Sequence, residues 1–191
     1  DYFGTIAWRD DGSGPVQLGL YDGGNRADTG LVSNEPVAIN THGLAVGEAA
    51  RYQNGVVSGT DAWIDNGSGP IRVGLRGGDY ESSSGQASIR VGALNNAGWS
   101  AGTSNTYDGD SVVGRHGWID NGNGTTRIAQ GAGPYRYDFV SVFGLDDQGQ
   151  AYGSAPRLNQ AGESLNRNDA WLYDGTDTHR IGLTGPEFTD A

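Results

Sequence analysis

The sequence predicts an all-β fold built from tandem four-stranded antiparallel units. Three observations carry that expectation: an excess of glycine, a shortage of apolar residues, and a tryptophan motif that returns about every 55 residues. Glycine fills 34 of 191 positions and hydrophobic residues make up 35 % of the chain. Interior glycine costs a helix about 1 kcal/mol relative to alanine, so a bundle of long helices is excluded. Collagen is excluded as well, because the glycines do not fall at every third position and there are only 6 prolines.

Four segments align without a gap: Ala7-Trp8-Arg9-Asp10-Asp11-Gly12, Ala62-Trp63-Ile64-Asp65-Asn66-Gly67, Gly117-Trp118-Ile119-Asp120-Asn121-Gly122 and Ala170-Trp171-Leu172-Tyr173-Asp174-Gly175. Each is followed by a second apolar stretch: Val16–Leu20, Ile71–Leu75, Thr126–Ala129 and Arg180–Leu183. A further block recurs as Ala38–Gly47, Ala93–Gly102 and Gly144–Gly153. Within it, Asn95-Asn96-Ala97-Gly98 reads as a hairpin turn whose glycine supplies the positive φ, and Asn66-Gly67 and Asn121-Gly122 are turn signals of the same kind. Each unit is therefore two hairpins, four strands of about five to eight residues, with tryptophan on the third. The repeat anchors are Trp8, Trp63, Trp118 and Trp171 with the turn glycines Gly43, Gly98 and Gly149.

The chain, a single repeat domain over 1–191, divides into a half unit at 1–20, units at 21–75, 76–130 and 131–183, and the start of a further loop at 184–191. Linking loops are expected around 21–36, 76–86 and 130–137. Four antiparallel strands every ~50 residues is the pattern of a β-propeller blade, with the tryptophan packed between neighbours; a β-sandwich or a β-solenoid is the alternative. The glycine pairs Gly43/Gly47, Gly98/Gly102 and Gly149/Gly153 are expected to let neighbouring strands approach closely.

The units resemble the HAF-type repeats of bacterial extracellular proteins. The resembling residues are Ile39-Asn40-Thr41-His42-Gly43, Leu94-Asn95-Asn96-Ala97-Gly98, the Gly47-Glu48-Ala49 and Gly102-Thr103-Ser104 steps, and the Ala-Trp strands with Ile181-Gly182-Leu183. The family's His-Ala-Phe signature is replaced by Asp61-Ala62-Trp63 and His116-Gly117-Trp118. The resemblance implies secretion and a propeller-like fold. It brings no catalytic residues with it.

The formal charge is −11, from 23 acidic residues against 12 basic ones, all arginine. A nucleic-acid partner needs a basic face, so that class is set aside, as is attraction to an anionic membrane. No apolar run reaches the ~18 residues of a membrane span. With no cysteine there is no disulfide or thiolate site, and with no methionine Asp1 is not expected to be an unprocessed start.

Candidate sites are sparse. Asp108 and Asp110, and less strongly Asp146 and Asp147, suit calcium because hard oxygens in turns are its ligands; otherwise no cofactor is expected. The full calcium-loop spacing is missing, and Asp, Asn and Gly also favour plain turns. His42, His116 and His179 lie in different units without metal-ligand spacing. The sequons Asn66-Gly67-Ser68 and Asn123-Gly124-Thr125 sit at turns. Tyr21, Tyr52, Tyr80, Tyr107, Tyr135 and Tyr137, read as loop aromatics, are candidate ligand-binding residues, since tyrosine offers a flat apolar face with a polar tip.

These readings predict a secreted or cell-surface scaffold for structure, adhesion or assembly, without catalysis. The alternatives are a lectin-like propeller and a fragment of a polysaccharide-acting enzyme. Neither end unit carries a polar cap, so the expected partners are further blades of a longer chain or copies of itself, with glycans a further class.

Overall fold

The computed structural model describes residues 4–128, 139–158 and 163–182. Across them the chain is all-β, and two single-turn 3-10 helices, Gly23–Asn25 and Gly78–Tyr80, interrupt the strands. After β1 (Gly4–Thr5), β2 (Ala7–Asp10) and β3 (Pro15–Leu18), the strands come in fours. The first complete unit is β4 (Val32–Ile39), β5 (Ala45–Gln53), β6 (Val56–Asp65) and β7 (Pro70–Val73). The second is β8 (Ala87–Leu94), β9 (Ser100–Asp108), β10 (Ser111–Asp120) and β11 (Thr125–Arg127). The third is β12 (Ser141–Leu145), β13 (Ala151–Leu158), β14 (Ser164–Tyr173) and β15 (Thr178–Ile181). Strands within a unit pair antiparallel in sequence order, and Trp63, Trp118 and Trp171 stand on the third strand, where the repeat places them.

Two expectations need correction. The middle strands are longer than five to eight residues: β5 and β9 have 9, β6 and β10 have 10. The loop expected at 21–36 also ends early, because β4 begins at Val32. Its backbone finds a partner there in the preceding unit, with Gly4 opposite Val32 and Thr5 opposite Ser33 in a parallel ladder. The same join recurs one unit on, with Gly59 opposite Ala87 and Thr60 opposite Ser88, and again as a bridge between Arg115 and Phe139. Glycine is required at the first two joins: a Cβ on Gly59, at φ 144, would lie 1.7 Å from the Ala87 carbonyl oxygen, and one on Gly4 would meet the Val32 carbonyl in the same way. These parallel joins merge the first two units with β1 into one nine-stranded sheet. The third unit forms a four-stranded sheet and β2–β3 a two-stranded one, and none closes into a barrel.

The core lies between units. Trp63 packs with Ala7, Leu18 and Leu20 of the half unit. Trp118 packs with Val46, Ala62 and Val73 of the first unit, and Trp171 shares a cluster with Ala101, Ile119 and Ile128 of the second. Each tryptophan is thus a knob inserted into the unit before it. On its own sheet it lies against the second-strand glycine directly opposite: Gly47, Gly102 or Gly153. A Cβ on any of the three would sit 2.3–2.5 Å from the indole, so the ring occupies space that any other residue would fill. The indole N–H of all three is buried without an acceptor among the described residues. Burial of apolar area, not hydrogen bonding, therefore holds the ring.

A column of stacked turns runs beside these joints. Asn40 Oδ1 accepts the backbone N–H of His42 and Leu44, closing the β4–β5 turn, while its Nδ2 donates to the Asn95 carbonyl at 3.0 Å. Asn95 repeats both roles, accepting from Trp99 and donating to the Asp146 carbonyl at 2.7 Å. Asp146 accepts from Gln148 and Gln150 but has no amide to pass on.

Candidate functional site

The residues named from sequence do not converge. Asp146 and Asp147 belong to the turn column, where Asp147 Oδ1 accepts the N–H of Asn96 at 2.8 Å. Asp108 ends β9, and Asp110 lies in the β9–β10 turn and accepts the N–H of Ser84 at 2.8 Å. Hydrogen bonds from Ser84, side chain first and backbone second, hold the Asp110 carboxyl below its ordinary pKa. Asp110, Asp146 and Asp147 are therefore engaged in turn and loop hydrogen bonds. Among the described residues no group of three or more His, Asp and Glu side chains could hold a metal ion.

The tyrosines scatter as well. Tyr52 and Tyr107 were expected in loops but lie on β5 and β9, Tyr52 buried and Tyr107 half-buried. The β5–β6 and β9–β10 hairpins are longer than their turn signals suggest, and this draws the two tyrosines into the ladder. Tyr21 closes the half unit by donating to the Leu18 carbonyl at 2.7 Å. Tyr135 and Tyr137 lie outside the described residues. Gly43, Gly98 and Gly149 hold the turns with φ of 77°, 86° and 86°.

Tyr80 does take part in a cluster, one that recurs with changed chemistry. In the first unit, Asn25 of the 3-10 helix donates to Asp61 at 3.1 Å, and Asp61 pairs with Arg76 at 2.9 Å and Arg72 at 3.8 Å. In the second, the corresponding positions are Tyr80, His116 and Arg127. Arg127 only donates, so His116 Nε2 accepts at 3.2 Å and Nδ1 carries the proton toward the Tyr80 oxygen at 3.0 Å. The two rings meet edge to face, and burial pushes the Tyr80 phenol up. In the third unit, Asp169 pairs with Arg180 at 3.1 Å. The cluster anchors each unit's third strand to its fourth and, in the first two units, to the loop helix.

Two cavities open at the joint between the second and third units. One, of about 240 Å³, is bordered by Trp99, Asn121, Thr126, Gln148 and Tyr173. It combines two aromatic side chains with the amides of the turn residues Asn121 and Gln148 and the hydroxyl of Thr126 on β11, and sequence reasoning missed it. Trp99 departs from the repeat, taking the place of Leu44 in the first unit, and this was the signal that could have found it. The ring lies across Gly149, where a Cβ would come within 2.1 Å of it. The other cavity, of about 260 Å³, is bordered by Arg90, Thr103, Arg115, Ser141, Val142 and Phe143.

No helix among the described residues is long and apolar enough to cross a membrane. Comparison of the chain with protein-family models, curated proteins and solved structures returned no match.

Proposed function

We propose that the chain is a non-catalytic repeat scaffold of a secreted or cell-surface protein, serving adhesion or assembly, with units of HAF type following one another in propeller-like succession. The observation that carries this reading is the joint itself. Three times, a tryptophan of one unit enters a small-residue and aliphatic socket on the unit before it. Such a module extends by adding like units, because each addition buries the same surface again.

Both halves of that joint are also present at the ends. Trp8 and Ile6 are exposed on the half unit, and Tyr152, Ala170 and Ile181 are exposed at the third unit's positions corresponding to Val46, Ala62 and Val73. The partners that fit are further units of a longer chain or copies of this one, joined head to tail. Light scattering across a concentration series tests the second source. Mass should grow with concentration. Trp8→Arg and Ile181→Arg should each stay monomeric, and an equal mixture of the two should form dimers and nothing larger. A wild-type chain that stays monomeric at every concentration overturns association between copies.

A second reading, carbohydrate binding, is favoured by the Trp99/Tyr173 cavity, where aromatic faces and amides suit a pyranose. A glycan array probed with the intact chain, beside Trp99→Ala, tests it. Binding lost in the variant supports the reading, and no binding above background removes it.

A further inference from the structure

The two joints between complete units differ at the place where Glu48 stands in the first, and this difference defines a site. In the joint between the first and second units, Glu48 of β5 fills the gap. Its Oε2 receives Arg90 at 2.5 Å and its Oε1 receives the backbone N–H of Val91 at 3.1 Å. One joint later, the position corresponding to Glu48 is Thr103, and the position corresponding to Arg90 is Ser141. Two long charged side chains have become two short hydroxyls, and the space they leave is the cavity of about 260 Å³. Its walls keep the cations. Arg90 lies directly opposite Thr103 in the β8–β9 ladder, and Arg115 lies opposite Asn105 two residues further along β9, on the same face. Asn105 Oδ1 accepts Arg115 Nε at 3.1 Å, which orients the guanidinium, and no acid among the described residues pairs with Arg115. Phe143 of β12, exposed, also borders the cavity from the third unit and offers an apolar face.

We infer that this cavity binds a small ring-bearing organic carboxylate, its carboxylate taking the place that the Glu48 carboxylate takes in the joint before. Arg115 and the hydroxyls of Thr103 and Ser141 supply donors to the anion, and the ring lies against Phe143. Guanidinium–carboxylate pairing is the strong, oriented kind of hydrogen bond. In a chain of net charge −11, Arg115 stands out on this cavity as a cation that no acid among the described residues pairs, whereas Arg90 is already paired with Glu48.

Isothermal titration of the intact chain with benzoate and with glucuronate tests the assignment, with methyl glucoside as the neutral control. The expected result is saturable binding of at least one carboxylate at one site per chain, none of the control, and affinity that falls with added salt. Arg115→Gln should weaken binding at least tenfold (an order-of-magnitude expectation for losing a charged partner) without moving the melting temperature. Thr103→Glu supplies the carboxylate from the chain itself and should abolish binding while the protein stays folded by circular dichroism. The inference is overturned if neither carboxylate binds, or if binding survives Arg115→Gln unchanged. Neither result touches the scaffold reading, whose test is the mass of the particle.

Discussion

Trp8 and Trp63 hold the same place in the repeat, yet Trp8 is 62 % exposed while Trp63 is 0 % exposed. Each sits on a third strand beside a fourth, with Gln17 opposite Trp8 and Arg72 opposite Trp63. Their own hairpins are therefore alike. Trp63 has two further neighbours: the second strand with Gly47 beneath the ring, and the half unit with Ala7, Leu18 and Leu20 against it. Burial of the tryptophan thus comes from the flanking second strand and the preceding unit. Stability in such a chain resides at the joints, as in other linear repeats whose units support only their neighbours.

The sharpest way to break the comparison is to remove the rings. Trp118→Ala empties a joint and should cost about 3–5 kcal/mol, whereas Trp8→Ala should cost under about 0.5 kcal/mol, as for an exposed site. Urea unfolding of the two variants checks this, and equal losses would mean that the joints do not carry the stability.

A smaller effect is expected from filling the space beneath a ring. Gly102→Ala places a methyl 2.0 Å from the Arg90 carbonyl oxygen and 2.5 Å from the Trp118 ring. Such overpacking should cost about 1–3 kcal/mol. Gly24→Ala meets only the Arg51 side chain at 3.9 Å, and its thermal unfolding should match wild type. If the two substitutions behave alike, close approach of ring and strand is not what the glycine provides.

The smallest effect is local and acid-dependent. Asp174 closes the β14–β15 turn. The backbone N–H of Asp177, then the His179 side chain, then the backbone N–H of Thr176 lower its carboxyl from 3.8 to about 2. A carboxyl depressed in the folded state stabilises it above the unfolded value and loses that contribution as pH falls through the folded one. The turn should therefore keep its order at pH 4 and above and loosen between 3.8 and about 2. The amide signals of Thr176 and Asp177 in an NMR titration should move with that midpoint. A midpoint near 3.8 would show that the turn hydrogen bonds do not form.

The all-β class and the turns that separate the strands were legible in the chain. These are local properties: glycine at turn positions, alternation along short strands, and a spacing that repeats. The packing of Trp63, Trp118 and Trp171 between units followed from the same pattern, since an isolated unit cannot cover so large a ring. The loop tyrosines were misplaced because hairpin length depends on pairing between strands. Tyr52 and Tyr107 read as loop residues until Val57 and Val112 stand opposite them.

By itself, the sequence determined the kind of element, because turn chemistry and side-chain alternation act over a few residues. Only the tertiary structure decided which atoms of successive units meet. The parallel joins at Gly4 and Gly59, the asparagine column through Asn40 and Asn95, and the exchange of Glu48 for Thr103 that opens a cavity all depend on residues about 30 to 55 positions apart. Their proximity is set by the rotation and rise from one unit to the next, a geometric quantity that no local run of residues encodes.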